Sequence, residues 1–308
     1  MHSKRITPAL LAAATLTLAA CASEDPTAPS GGAGDADGQT VTIGTANFPE
    51  SEIIGQIWAE ALRDAGYDVT VKSGIGSREV YLSALQDGAI TVVPEYAGNL
   101  TQYFGELEQG ADEAVVRSTL DEVLPEELQA GEFSPAESKD AYRVTRATAD
   151  EYGLASISDL SKLDAVTIAA PPEFAERPYG PKGLTDVYGI DSSKVSVTPI
   201  SDGGGPLTVA ALVQGTANVA NIFTTSPALL DNGEEADLVI LDDPEHLIPP
   251  QNVVPVVRAG ELPDGALDVI NSIDAKLTTE DLVAMNLRNV GPERAEPKQI
   301  ATDWMNKQ

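Results

Sequence analysis

Cysteine and histidine are nearly missing from this chain of 308 residues: Cys21 stands alone, and His2 and His246 are the two histidines. A single thiol leaves no intramolecular disulfide to form. His246, in the acidic loop DDPEHL, is the one histidine beyond the N-terminal segment, so a histidine-based catalytic pair has no second member. No G-x-S-x-G elbow and no H-E-x-x-H motif occurs. Two Gly-rich turns fall short of nucleotide fingerprints: GIGSRE has Glu79 where a third Gly belongs, and GGGPLT lacks a P-loop Lys. No catalytic residue, metal or cofactor is therefore expected. Positive charge is scarce as well, with 19 Lys and Arg against 48 Asp and Glu. That balance repels phosphate backbones and anionic membrane surfaces, and argues against nucleic acid as a partner. Aromatic residues are only 5 % of the chain, so their placement carries weight, whereas 42 % hydrophobic content supplies a real core.

The N-terminus carries a targeting pattern. Lys4 and Arg5 precede an apolar stretch, Pro8 to Ala20, too short to span a bilayer. It ends in Leu18-Ala19-Ala20-Cys21, which looks like the lipobox of a bacterial lipoprotein. Residues 1–20 are thus expected to be a signal peptide and Cys21 the lipidated residue. Residues 21–40, rich in Pro, Gly, Ser and Asp without an apolar period, read as a flexible tether. The expected location is the outer face of the cytoplasmic membrane, reached by export and held by the lipid.

Beyond residue 40 the chain alternates strand and helix patterns. VTIG (41–44), a helix beginning near Pro49, YDVTVK (67–72), a helix from Ser77 to Leu85 and ITVVPEY (90–96) make a βαβαβ unit. The order recurs in VTIAAP (166–171), KGLTDVYGI (182–190), KVSVTPI (194–200), the helix after DGGGP, and ANVANIFTT (217–225). Gly76 and Gly203, Gly88 and Gly215, and Tyr96 and Phe223 are each 127 residues apart. Three such matches in structural order predict two α/β lobes of like topology, each built on a mostly parallel sheet. The expected lobes are 41–141 with 254–308, and 142–253, so that the chain crosses twice and makes a hinge. Two helical stretches in the tail, ALDVINSIDAKL among them, are expected to pack on the first lobe.

Ligands of open α/β sheets bind at the carboxyl ends of strands. Tyr96 and Phe223 fall at corresponding strand ends and are expected to face each other across the cleft, where ring faces attract cations. Packing of each ring against its own sheet is the competing reading, and for Tyr142 in the crossover it is the stronger one. Arg177, in PPEFAERPYG, offers a planar fork for an anionic group or pairs with Glu173 one turn away. Both Gly-rich turns open helices whose free N–H groups suit an anion, or else they are purely structural tight turns.

The series IGTANFPES, GSREV, PEYAG, PPEFAERPYG, FTTSP and PPQNVVP, with the lipobox, resembles the glycine betaine/carnitine/choline-binding proteins of ABC importers over essentially the whole mature chain. The resemblance implies a two-lobed, periplasmic-binding-protein-like (type II) fold, a monomer, a small-molecule solute, a permease with its ATPase as partners, and no catalysis. In that family an aromatic cage holds the trimethylammonium group and polar residues hold the carboxylate. Tyr96 and Tyr142 match cage positions, Phe223 stands where Tyr is common, and Gln251 where many members have an aromatic. Arg177 matches the family's Arg. Tyr179 replaces an Asp, Asn99 a Thr, Ala46 a Lys and Ser51 a Gln. The expected ligand contacts are Asn47, Phe48, Ser77, Tyr96, Asn99, Tyr142, Arg177, Tyr179, Phe223, Thr224 and Gln251. Two alternatives stay open: a receptor of the same fold for an uncharged or aromatic compound, sugar or amino acid, and an exported hydrolase that depends on His246.

Overall fold

Short runs of Val, Ile and Ala between helical patterns form the strands, and the central strands of each sheet are buried on both faces, as parallel sheets require. The computed structural model describes residues 40–230 and 232–308. The expected signal peptide, the lipidated Cys21 and the tether as far as residue 39 lie outside the described residues. The strands are β1 (Val41–Gly44), β2 (Val69–Lys72), β3 (Val92–Tyr96), β4 (Leu128–Ala130), β5 (Tyr142–Thr145), β6 (Val166–Ala170), β7 (Val195–Pro199), β8 (Val219–Asn221), β9 (Leu238–Ile240) and β10 (Val253–Arg258). They form two five-stranded sheets in the orders β2-β1-β3-β10-β4 and β7-β6-β8-β5-β9. In each, three strands run parallel and the fourth returns antiparallel: β10 against β3, and β5 against β8. The architecture is the expected two-lobed α/β fold, and its two sheets repeat each other strand for strand through their first three members.

The helices are α1 (Pro49–Asp64), α2 (Arg78–Gln86), α3 (Ala97–Phe104), α4 (Glu113–Val123), α5 (Arg146–Tyr152), α6 (Pro181–Asp186), α7 (Pro206–Val213), α8 (Ala266–Asp274), α9 (Thr279–Val290) and α10 (Pro297–Met305). Helices α2 and α7 occupy matching places between their strands. Each is stopped by a glycine in the left-handed region, Gly88 at φ +75° and Gly215 at +77°, where an L side chain would be strained. Helix α1 begins at a Pro, whose fixed φ suits a first turn, and carries Glu50 and Glu52 against the positive end of its dipole. Ile54, Ile57, Trp58 and Leu62 of α1 join Ile270, Leu282, Ile300 and Trp304 in one core. Each large apolar side chain so buried stabilises the lobe by about 1.5–3 kcal/mol. The tail thus covers the first lobe with three helices, α8, α9 and α10, one more than the sequence pattern predicts.

Backbone bonding locates the two crossings. Ser138 N donates to Gln251 O within the first lobe, and Thr224 N donates to Lys139 O within the second, so the chain crosses between Ser138 and Lys139. It returns near Pro249: Ile248 N donates to the Asp243 carboxylate, whereas Gly98 N donates to Pro250 O. The expected boundaries lie a few residues further along in both places, because apolar pattern marks the strands and not the ladder bonds that precede them.

Candidate functional site

The carboxyl ends of β1, β3, β6 and β8 face one another across the gap between the sheets. A cavity of about 150 Å³ lies there, walled by the first lobe on one side and the second on the other. At one end three rings meet. Phe48, the residue that caps α1, lies with its ring centroid 6.1 Å from Tyr96 and 5.8 Å from Phe223. Tyr96 ends β3 and is nearly buried; its hydroxyl donates to Glu50 Oε1 at 2.6 Å, and Asn286 Nδ2 of α9 donates to Glu50 Oε2. Burial and then the Glu50 charge push the Tyr96 phenol well above its usual range, so it stays neutral. Arg143 of β5 holds the other ring in place by donating to Phe223 O.

The cavity's far wall is polar. Glu95, fully buried, precedes Tyr96 in β3 and takes a bidentate pair from Arg78, Nε to Oε1 at 2.8 Å and Nη2 to Oε2 at 2.9 Å. Tyr81 Oη and Tyr96 N also donate to it. Burial opposes the Arg78 charge, but Glu95, Tyr81 and Tyr179 together outweigh it and raise the guanidinium pKa. An acid at the end of a buried strand is explained in this way: Glu95 braces the wall from behind. Asp140 comes from the segment after the first crossing and accepts from Asn99 Nδ2 at 2.9 Å. It is 5 % exposed, and burial raises its pKa above the usual carboxylate value. At the mouth Arg177 of the second lobe meets Glu79 of the first at 2.9 Å.

Of the expected contacts, Asn47, Phe48, Ser77, Tyr96, Asn99, Arg177, Tyr179 and Phe223 line this cavity. Tyr142, Thr224 and Gln251 do not. Tyr142 is wholly buried; the parity of β5 turns its ring into its own lobe against Phe174, and its hydroxyl donates to Tyr179 O at 2.6 Å. Thr224 Oγ1 accepts from Lys139 N at the crossing. Gln251 is spent on Asn99, donating to its Oδ1 and accepting from its backbone N–H. Arg177 pairs across the cleft with Glu79, not with Glu173. Ser77 stands at the N-cap of α2, but its Oγ donates to Glu79 and accepts no hydrogen bond from the helix backbone. Arg78, Asp140 and Asn221 also line the cavity, and sequence reading misses them. His246 is exposed in its loop and is no part of the cavity wall.

A family model described as the substrate-binding domain of ABC-type glycine betaine transport systems matches residues 39–307. The chain belongs to this family. A glycine-betaine-binding protein of Pseudomonas aeruginosa is 27 % identical over 288 residues, covering 89 % of each chain. Among solved structures, a glycine betaine/carnitine/choline ABC transporter protein superposes with a TM-score of 0.65 at 22 % identity, covering 87 % of this chain and 98 % of the other. The lactococcal substrate-binding protein in its closed, glycine betaine-bound form gives 0.63 at 16 % identity, covering 87 % and 96 %. At such identities the structures establish the fold, which is the two-lobed binding-protein fold read from the sheets above.

Proposed function

We propose that the protein is the extracytoplasmic receptor of an ABC importer and takes a quaternary-ammonium osmoprotectant, glycine betaine, choline or carnitine, into the inter-lobe cavity. The observation that carries this reading is the cluster of Phe48, Tyr96 and Phe223 at one end of the cavity. Ring faces attract a desolvated cation by up to about 2 kcal/mol each, and a methylated ammonium cannot instead be held by hydrogen bonds. Asn47, Ser77, Asn99, Arg177 and Tyr179 serve as polar contacts. Tyr142 and Gln251 act behind them by fixing Tyr179 and Asn99, and Thr224 acts at the crossing. The lobes close on the solute and present a joint surface to the permease and its ATPase. The protein works as a monomer, has no catalytic activity, and is held at the outer face of the membrane by lipid on Cys21. Among the described residues no helix is long and apolar enough to cross a membrane.

Calorimetric titration with the three solutes tests the reading. At least one is expected to bind in the micromolar range, and Tyr96→Ala to weaken it at least tenfold while the fold persists by circular dichroism. Silence from all three, with binding of an uncharged solute instead, would transfer the site to the alternative receptor.

A further inference from the structure

The charges on the cavity wall do not cancel. Four charged side chains line it: Arg78, Asp140, Glu173 and Arg177. Both cations are already committed. Arg78 is bound at two atoms to the buried Glu95, and Arg177 meets Glu79. Asp140 has no such partner. Asn99 donates to it, the neutral Asn221 and Tyr179 flank it, and the one cation that acts on it, Arg78, does so through space while bound to Glu95. Glu173, on the second lobe's wall, has no ion-pair partner among the described residues. The cavity therefore carries an excess of negative charge once each arginine is assigned to its own carboxylate.

A zwitterion brings its own carboxylate into that excess. Glycine betaine would satisfy the rings with its trimethylammonium group and then set a second negative charge near Asp140, in a setting where water screens little. A cationic alcohol brings no such charge. Its ammonium group offsets the wall, and its hydroxyl both donates and accepts. Asp140 accepts only, and Asn221 Nδ2, buried without a partner, can only donate. That pair of groups complements a hydroxyl, whereas a carboxylate, which accepts only, could use Asn221 alone.

Resting on the reading of the site as a quaternary-ammonium receptor, we propose that the cavity selects a cationic alcohol of the choline type over the zwitterionic betaines, with Asp140 as the residue that sets the preference. Burial raises the pKa of Asp140, and a cation in the cavity acts in the opposite direction.

The test is paired titration of the protein with choline and with glycine betaine, which share the trimethylammonium head and differ in hydroxyl against carboxylate. Choline is expected to bind at least tenfold more tightly. Asp140→Asn is expected to lose at least tenfold of choline affinity while glycine betaine affinity holds or rises, so that the gap closes. Tighter binding of glycine betaine by the unaltered protein would overturn the preference and leave the receptor reading standing. So would an Asp140→Asn variant that weakens both ligands equally. Binding of neither ligand would overturn the receptor reading itself, and the preference with it. The comparison on the unaltered protein decides the matter even if the variant does not fold.

Discussion

Asp274 shows how far a single side chain can be taken from its usual chemistry. It ends α8 inside the first lobe, 2 % exposed, with Trp58 Nε1 donating to Oδ1 at 2.6 Å and Oδ2 without a partner. Burial pushes its pKa up to about 8, against the smaller opposing effect of the indole hydrogen bond. The unfolded carboxyl titrates near an ordinary value of about 3.9, so between about pH 4 and pH 8 the folded state holds the extra proton. Stability contributed by this group is full below that window and is lost as pH rises through it. Each unit of difference corresponds to about 1.4 kcal/mol, which puts the whole effect at a few kcal/mol. Urea unfolding at pH 5 and pH 8 should show the protein less stable at the higher pH, and Asp274→Asn should remove most of that difference. An unchanged pH dependence in the variant would assign the effect to other groups. Tyr96 makes the contrasting case: its phenol is also buried, but the Glu50 carboxylate accepts its proton in a hydrogen bond and keeps the ring aimed at the cavity.

Among elements, β3 and α2 do the most for the site. The strand delivers Glu95 into the wall and Tyr96 to the cavity, and the helix delivers Arg78 to meet Glu95. Removing one partner of a buried ion pair strands the other charge and costs about 3–5 kcal/mol. Glu95→Ala should therefore lower unfolding free energy by that amount in urea, far more than Glu79→Ala at the exposed mouth; equal losses would deny Glu95 its bracing role. Parallel strands and their closing glycines are legible in the sequence because both leave local marks, an apolar run and a residue that tolerates positive φ. Helix α3 is not, since a Gly in its first turn carries no helix signal, while in the fold Gly98 lets the chain pass close to Pro250 O and Pro249. Strand β4 is three residues at a sheet edge and leaves little pattern. In the site, ring positions at strand ends can be read from spacing, but Asp140 and Arg78 take their meaning from burial and from which distant groups each meets. Tyr142 packs within its own lobe, as the residue-level reading has it and not at the cage position the resemblance implies: the face a strand residue takes is fixed by its pairing with β8 and β9.

For the molecule as a whole, the two lobes touch through a few specific contacts around a hinge. Arg177 and Glu79 join them at the cavity mouth, Asn286 Nδ2 donates to Thr225 O, and Ser138 meets Thr225 at the crossing. With Glu79 nearly half exposed, the mouth pair is worth about 1 kcal/mol or less, enough to bias closure without locking it. Glu79→Ala should raise the radius of gyration of the ligand-free protein in X-ray scattering and leave the ligand-bound value unchanged. A free-state value identical to that of the unaltered protein would show that the pair has no part in closure.

Recognition of the solute by positive charge on a methylated head is probed by titrating the protein with choline and with 3,3-dimethylbutan-1-ol, its neutral isostere of nearly equal shape. Choline is expected to bind in the micromolar range and the alcohol at least a hundredfold more weakly, through loss of the attraction to Phe48, Tyr96 and Phe223. Equal binding of the two would mean that shape and burial alone fill the cavity, and would contradict recognition by charge.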